Sequence, residues 1–194
     1  MDLSERQIEI IEAATKLIGE GGVQSLTTKT LAAEIGFSEP ALYRHFSDKN
    51  EILKTILLFF KDVLRKGTME IIKTDFSAEK KIQAMIDFQF NHLEKNPAII
   101  MVLFSETSFQ YNTELSNMVS QIMKQKSEMV AGMIESGQQE GVIRTDISAM
   151  QLATIVMGSM RFTLLKWRLS DFNFDLLQEG KQLGVTLELL LKKV

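Results

Sequence analysis

The sequence has no cysteine and only two histidines, His45 and His92. Disulfide bonds and thiolate zinc sites are therefore excluded, and two imidazoles are too few for a histidine-based metal cluster. A glycine-rich phosphate loop and a serine-centred nucleophile elbow are also missing, which disfavours the common enzyme classes. We predict no metal, no cofactor and no catalytic residue.

Long apolar segments and a basic leader are missing as well. The longest uninterrupted apolar run is 98–104, far below the ~20 residues needed to cross a bilayer. The first residues, Met1-Asp2-Leu3, differ from a basic secretory leader. We expect a cytoplasmic protein with no membrane partner.

Positive charge is not in excess. The formal net charge is -3, and acidic and basic side chains are nearly balanced within residues 1–66. Bulk charge therefore gives no indication of nucleic-acid binding. Any such function must depend on where individual charges lie.

Proline is scarce, with only Pro40 and Pro97, whereas Leu, Ile, Met, Glu and Lys recur at spacings of three and four. This pattern predicts an all-α fold. The predicted helices cover about 4–18, 28–35, 38–46, 48–66, 77–95, 97–104, 113–140, 148–169 and 174–193. A periodicity that fades near Gly67 divides the chain into a small three-helix domain extended by a fourth helix, 4–64, and a larger helical domain, 74–194.

Residues 27–46 have the pattern that a helix-turn-helix requires. Thr27 can cap a helix that Gly36 ends, and Ser38 can cap a short second helix with Pro40 in its first turn. Gly36 also permits the sharp turn between the two helices. Six apolar side chains can meet in a small shared core: Leu31, Ala32, Ile35, Phe37, Leu42 and Phe46.

The exposed positions of such a motif are candidates for DNA contact, because its second helix lies in the major groove and its first crosses the phosphate backbone. The base-edge candidates are Glu39, Pro40, Ala41 and Arg44. The phosphate candidates are Thr27, Thr28, Lys29, Tyr43 and Lys49; Lys49 starts the next helix, where free amides favour an anion. Ser38 and His45 complete the set, and His45 could equally have a packing role.

The order of residues through this segment is distinctive. It reads Thr27, Lys29, Leu31-Ala32, Gly36-Phe37-Ser38, Leu42-Tyr43-Arg44-His45-Phe46, Lys49 and Leu53. Over residues 4–64 the chain resembles the TetR family of regulators. The resemblance implies a ligand-responsive repressor that binds a palindromic operator in double-stranded DNA as a homodimer. It also implies that the remaining helices sense an effector and form the dimer.

Glu39 departs from the family pattern, which more often has a basic or small residue at the start of the reading helix. A carboxylate there is repelled by phosphate but can accept a hydrogen bond from a cytosine amino group. Alternatively, it only stabilises the positive end of its own helix. Both interpretations remain open from the sequence.

The last two predicted helices have the apolar character of a dimer interface. Residues 147–169 are apolar on nearly all sides, which predicts a buried helix. The final helix repeats small and apolar residues at spacings suited to packing against another helix. The predicted interface residues are Leu176, Gly180, Leu183, Gly184, Leu187 and Leu190. The same seam could pack within one chain, since spacing does not identify the partner helix.

Flexible and flat apolar side chains are frequent after residue 74 and could line a cavity for a lipophilic effector of unknown identity. The pocket candidates are Met85, Phe88, Gln89, His92, Met101, Phe104, Met129, Met133, Met157 and Trp167. Most such residues at helical spacing are ordinary core. Arg161 is the last candidate: it could pair with a buried carboxylate, reach the surface, or meet an anionic group of the effector.

These predictions lead to a two-state mechanism. The dimer would hold its reading helices one DNA turn apart, roughly 34–36 Å. A ligand among the second-domain helices would change that spacing through the fourth helix and release the operator. Two other classes fit less well: an enzyme, for which motifs are missing, and a helical interaction protein, which leaves the grouping of Lys29, Tyr43 and Lys49 unexplained.

Overall fold

The computed structural model describes residues 3–104 and 112–193. These residues form nine α-helices: α1 (Glu5–Gly21), α2 (Thr28–Glu34), α3 (Glu39–Leu42), α4 (Lys49–Ile72), α5 (Ala78–Lys95), α6 (Pro97–Leu103), α7 (Thr113–Gln139), α8 (Ala149–Leu169) and α9 (Leu176–Leu191). In this part of the chain the extended pairing is a single isolated bridge between Ile143 and Lys192. The predicted all-α fold is confirmed.

The helix starts follow local capping chemistry. The Ser4 hydroxyl accepts a hydrogen bond from the Gln7 amide, and the Gln7 side chain accepts one from the Ser4 amide in return. Thr27 and Thr30 form the same reciprocal arrangement at α2. Each pair satisfies two amides that the first helical turn leaves unbonded. The spacing of Ser4 and Gln7 predicts the first pair, and the position of Thr27 predicts its cap, whereas the return bond to Thr30 was not predicted.

Three helix ends differ from the prediction. α1 continues through Gly19 to Gly21 instead of ending near residue 18. α3 ends at Leu42 rather than near Phe46, because the Arg44 and His45 amides donate to carbonyls three residues back and tighten the chain into a turn. α4 continues through Gly67 to Ile72. A Cβ at Gly67 would lie 2.0 Å from Cζ of Phe88. Gly67 therefore allows α4 and α5 to approach closely instead of ending a helix.

The first compact unit comprises Met1–Val63 and Asn96–Gln121, of which the structure describes 3–63, 96–104 and 112–121. Its core includes the fully buried side chains of Ile10, Ile18 and Ile56. α6 packs on α1, where a Cβ at Gly19 would lie only 2.7 Å from Cβ of Ala98. Its contacts thus group α6 with the first unit, whereas the sequence-based division assigned 97–104 to the second domain.

The second compact unit comprises Leu64–Lys95 and Ile122–Val194, of which the structure describes all but the last residue. α9 packs along α5, and Gly180 lies against the ring of Phe90. Met85, Ile86 and Phe90 of α5 are fully buried. None of the described helices has both the length and the apolar character that crossing a membrane requires.

Candidate nucleic-acid interface and effector unit

The turn between α2 and α3 depends on Gly36. Its φ is 69°, in the left-handed region that glycine adopts without penalty. The Phe37 amide donates to the Ala32 carbonyl at 2.8 Å, and the Gly36 amide donates to the Ala33 carbonyl at 3.3 Å. This bonding pattern ends a helix and reverses the chain. The predicted role of Gly36 is confirmed.

The shared core of the motif is smaller than predicted. Leu31, Ala32, Leu42 and Phe46 are buried. Ile35 and Phe37, which were expected to join them, are only partly buried. The Phe37 ring lies in a polar setting, with the guanidinium of Arg6 4.6 Å from its centroid and the ring of His45 at 6.4 Å. His45 accordingly has a packing contact, and its role at DNA remains a prediction.

Most of the predicted DNA-contacting residues lie at the surface. Seven of them are exposed: Thr27, Lys29, Ser38, Glu39, Pro40, Tyr43 and Arg44. The other four are partly buried: Thr28, Ala41, His45 and Lys49. Half of the Tyr43 surface is exposed although the residue is aromatic. Ser38 caps α3 by position, but its side chain makes no capping hydrogen bond. These positions lie at the starts of α2 and α3, in the turn that follows α3 and at the start of α4.

Glu39 and Thr28 lie in direct contact. The Thr28 hydroxyl donates a hydrogen bond of 2.7 Å to Oε2 of Glu39. This bond joins the first turn of α2 to the first turn of α3. One carboxylate oxygen is therefore already engaged in the DNA-free protein, a pairing across the turn that residue spacing alone did not predict.

Lys49 has a structural partner. Its Nζ donates a hydrogen bond of 2.9 Å to the carbonyl of Val23, in the loop after α1. Partial burial lowers the pKa of Lys49 below its usual value. The amine therefore holds this loop against the start of α4. An ammonium group has three N–H donors, so this bond does not exclude the contact with phosphate, which stays a prediction.

The effector candidates fall mainly in the second unit. Two of them, Met101 and Phe104, belong to the first unit. The nine in the second unit are Met85, Phe88, Gln89, His92, Met129, Met133, Met157, Arg161 and Trp167. Trp167 and Phe88 have packing roles. The Trp167 indole donates a hydrogen bond of 2.9 Å to the Phe174 carbonyl, and its ring packs edge-to-face against Phe172. Phe88 fills the space that Gly67 leaves.

Lys126 is a polar residue of this unit that sequence reasoning missed. Its Nζ donates a hydrogen bond of 2.8 Å to Oε1 of Gln89, which is only 3% exposed. Burial, and to a lesser extent the nearby charge of Arg161, lower the pKa of Lys126 to about 8. The available signal was its register, because Lys126 follows Ile122 by one turn on the apolar stripe of α7 that continues to Val130.

The predicted dimer seam belongs largely to the interior of one chain. Leu176, Gly180, Gly184 and Leu187 are buried within the single chain, and Gly180 and Gly184 lie against Phe90 and Gln83 of α5. This is the packing within one chain that the spacing also allowed, and the role of these residues in a dimer stays a prediction. Leu183 is partly buried and Leu190 is 51% exposed.

α8 is not buried on all sides as expected. Val156, Met160 and Leu164 face the core of the unit, whereas Ile155 and Phe162 lie at the surface, with Phe162 62% exposed. Val185 and Leu189 of α9 are also exposed, the latter to 73%. We call Ile155, Phe162, Val185 and Leu189 the outer apolar face. Burial on all sides would require a further chain.

Comparison with known families places the protein in one of them. Residues 10–56 match the family described as bacterial regulatory proteins, tetR family. Residues 61–192, more than half of the chain, match the family described as YsiA-like protein, C-terminal region. The chain belongs to the TetR family of DNA-binding transcriptional regulators.

Individual relatives are distant but nearly full-length. The transcriptional repressor KstR2 of Rhodococcus jostii (strain RHA1) is 23% identical over 84% of this chain and 80% of its own. FadR of Bacillus subtilis, solved with stearoyl-CoA, has a TM-score of 0.82 at 21% identity over 93% and 96% of the two chains. AibR, solved with isovaleryl coenzyme A and operator DNA, has a TM-score of 0.76 at 17% identity over 97% and 98%. The two structures share the fold of this chain.

Proposed function

We propose that this protein is a cytoplasmic repressor that binds a palindromic operator as a homodimer and is released by a small lipophilic effector. The exposed residues of the helix-turn-helix carry the proposal. Lys29 in the first turn of α2 and Tyr43 and Arg44, which directly follow α3, are exposed, while Leu31 and Leu42 are buried. In a helix-turn-helix this surface faces the major groove and its flanking phosphates. The relative KstR2 is itself named a repressor.

The outer apolar face supports the homodimer through the last two helices. Four large apolar side chains on α8 and α9 are exposed together, which is unusual for a monomeric soluble protein. Gly158 lies on α8 between Ile155 and Phe162, and a Cβ there would meet no atom within 4 Å. A second copy could therefore approach closely at this point. A twofold dimer also matches a palindromic operator.

The effector is proposed to be an acyl compound, with coenzyme A thioesters as the first to test. Two structural neighbours were solved with acyl-CoA ligands. The interior of the second unit supports an acyl chain, because Met85, Met133 and Met160 supply adaptable apolar side chains. α4 supports the coupling to DNA, since one uninterrupted helix supplies residues to both units.

Selection of genomic fragments by the purified protein tests the DNA-binding part. The best fragment is then titrated against a scrambled duplex at several salt concentrations. We expect an inverted repeat that binds much more tightly than the scramble, with affinity falling steeply as salt rises. Failure to enrich any sequence, both without effector and with the acyl-CoA series present, would favour the helical interaction protein.

Two substitutions test the reading surface. Tyr43→Ala should weaken binding to all DNA because it removes a phosphate contact. Arg44→Ala should weaken the specific operator preferentially, by ~1–3 kcal/mol for a base contact. Lys124→Ala is the charge-matched control, since this exposed lysine of the second unit lies outside the surface. Equal operator binding by the wild type and both test variants would rule out the proposed surface.

A further inference from the structure

The ring of Phe88 on α5 lies end-on against the backbone of α4 at Gly67. A Cβ added to Gly67 would lie 2.0 Å from Cζ of Phe88 and 2.4 and 2.6 Å from its two Cε atoms. The ring also stacks on the ring of His92, with the centroids 6.3 Å apart. Because protein interiors are close-packed, a ring in this position leaves no free space between the two helices. A movement of the ring toward α4 would therefore act directly on the helix backbone.

α5 is blocked on its other side by α9. Phe90 follows Phe88 by two positions, which places the two rings on opposite sides of α5. A Cβ at Gly180 would lie 2.8 Å from Cδ2 of Phe90, and a Cβ at Gly184 would lie 1.4 Å from Oε1 of Gln83. α5 and α9 are thus already in close contact at two successive turns. α5 has no room to move away from α4 in the direction of α9.

α4 has two features at this level that allow a helix to bend. Gly67 is a poor helix former in the interior of the helix. The next residue, Thr68, is 1% exposed, and its hydroxyl donates a hydrogen bond of 2.8 Å to the carbonyl of Leu64. Such a bond to the carbonyl one turn earlier is often found where helices bend. Leu64 is the first residue of the second unit on α4, and the preceding residues 49–63 of this helix belong to the first unit.

We propose that the Phe88 ring is the contact through which an effector in the second unit moves α4 and releases the operator. The inference rests on the proposed effector-responsive repressor and adds the residues that carry its coupling. Met85, one of the residues proposed to surround the acyl chain, lies one turn before Phe88 on α5, so both point to the same side of that helix. An acyl chain beside Met85 presses on the ring, and the ring transmits the displacement to α4 at Gly67.

Gly67→Ala tests this coupling without any effector. The added methyl group separates the ring from α4 and so imitates the displacement. We expect operator affinity in the absence of effector to fall roughly 5- to 150-fold, the usual range of allosteric coupling. Phe88→Ala in the same chain removes the overlapping ring, so the double variant should regain the wild-type affinity. Alanine at position 67 favours the helix in both variants, and an operator loss that persists in the double variant would overturn the inference.

Gly137→Ala is the matched control for close packing. Gly137 lies on α7 of the same unit, and its added Cβ would lie 2.6 Å from both Cβ of Ala78 and Cδ1 of Ile143. This variant should unfold at a lower urea concentration but bind the operator normally under conditions in which it is fully folded. Urea denaturation and operator titration of all variants separate coupling from general destabilisation. Equal losses of operator affinity in the Gly67 and Gly137 variants would overturn the inference, as would an unchanged affinity in both.

Phe88→Ala alone tests the link to the effector. Without the ring, α4 is no longer pushed, so operator binding should persist at concentrations of octanoyl-CoA or palmitoyl-CoA that release the wild type. Calorimetry should still detect binding of the thioester. Full release from this variant would overturn the inference, and so would loss of thioester binding together with the response. A wild type that binds its operator but ignores both thioesters would remove the proposed effector class, and Gly67→Ala would then decide the coupling. A wild type that binds no operator would remove the proposed function itself.

Discussion

The hydrogen bond between Thr28 and Glu39 places a carboxylate on the surface proposed to face DNA. A negative charge beside the phosphate backbone reduces affinity for every sequence. Such a charge is compensated where it accepts a hydrogen bond from a base, and the cytosine amino group is the donor that a carboxylate selects. Because Thr28 already engages Oε2, the second carboxylate oxygen is the one available to a base.

Glu39→Gln tests whether Glu39 reads a base. The amide oxygen can still accept from Thr28, but the negative charge is lost. We expect binding to scrambled DNA to become several-fold tighter and the preference for cytosine at one symmetric position of each half-site to fall by ~1–3 kcal/mol. Sequence selection with both proteins measures this. An unchanged preference at all positions would leave only the stabilisation of its own helix as the role of Glu39.

For individual residues, the sequence predicts those hydrogen bonds whose two partners lie within a few residues of each other in the chain. The Ser4 and Thr27 caps and the Gly36 turn depend on neighbours in the chain, so the pattern identifies them. The pattern does not identify the partners of Lys49 and Lys126, because Val23 and Gln89 become their neighbours only after folding. For Lys126 the only signal in the sequence was its position on the apolar stripe of α7, and it was not predicted.

Among the helices, α1 and α6 pack so closely at Gly19 that little space remains for a larger side chain. Gly19 normally weakens a helix, and alanine in its place would add up to ~1 kcal/mol of stability in an open position. Here the added Cβ would lie 2.7 Å from Cβ and 3.1 Å from Cα of Ala98. Since the second atom belongs to the backbone, rotation of a side chain cannot relieve the overlap.

Gly19→Ala should therefore destabilise the protein by ~1–3 kcal/mol despite the better helix propensity. Gly132→Ala is the control, because Gly132 lies inside α7 with no atom within 4 Å of its added Cβ. That variant should gain up to ~1 kcal/mol. Urea denaturation of both variants measures the difference. A gain at Gly19 equal to that at Gly132 would contradict the close packing of α1 on α6.

The helices themselves were well predicted, but their partners were not. Periodicity correctly identified α9 as a helix with one packing stripe, yet the stripe packs on α5 of the same chain. Small residues such as Gly180 and Gly184 permit close approach by any helix, so they cannot identify which one. Similarly, Gly67 resembled a helix end because its close neighbour Phe88 is remote in sequence.

For the molecule as a whole, the outer apolar face is the feature that a single chain leaves unexplained. Phe162 and Leu189 are more exposed than apolar side chains of their size normally are. Burying them between two copies would join four helices, two from each chain. The protein would then present two reading surfaces related by a twofold axis.

Phe162→Glu tests this assembly. A carboxylate in the middle of an apolar interface should weaken dimerisation by about 2 kcal/mol or more, as for a central aromatic residue. Analytical ultracentrifugation should detect monomers, circular dichroism an intact helical chain, and operator titration a loss of affinity. Phe76→Glu is the matched control, because Phe76 is 51% exposed and lies outside the face. Dimers persisting in the Phe162 variant at low protein concentration would exclude this face.

The lowered pKa of Lys126 makes the stability of the folded chain depend on proton concentration. Burial, and the nearby charge of Arg161, lower the pKa of this amine to about 8, against an ordinary value of 10.5. Between these two pH values the unfolded chain binds more protons than the folded chain, so the contribution of Lys126 to stability rises as the pH rises through this window. His92 does not offset this, because burial lowers its pKa from 6.5 and it is neutral in that range. Mildly alkaline solution would thus remove part of the free energy that this buried amine costs the fold.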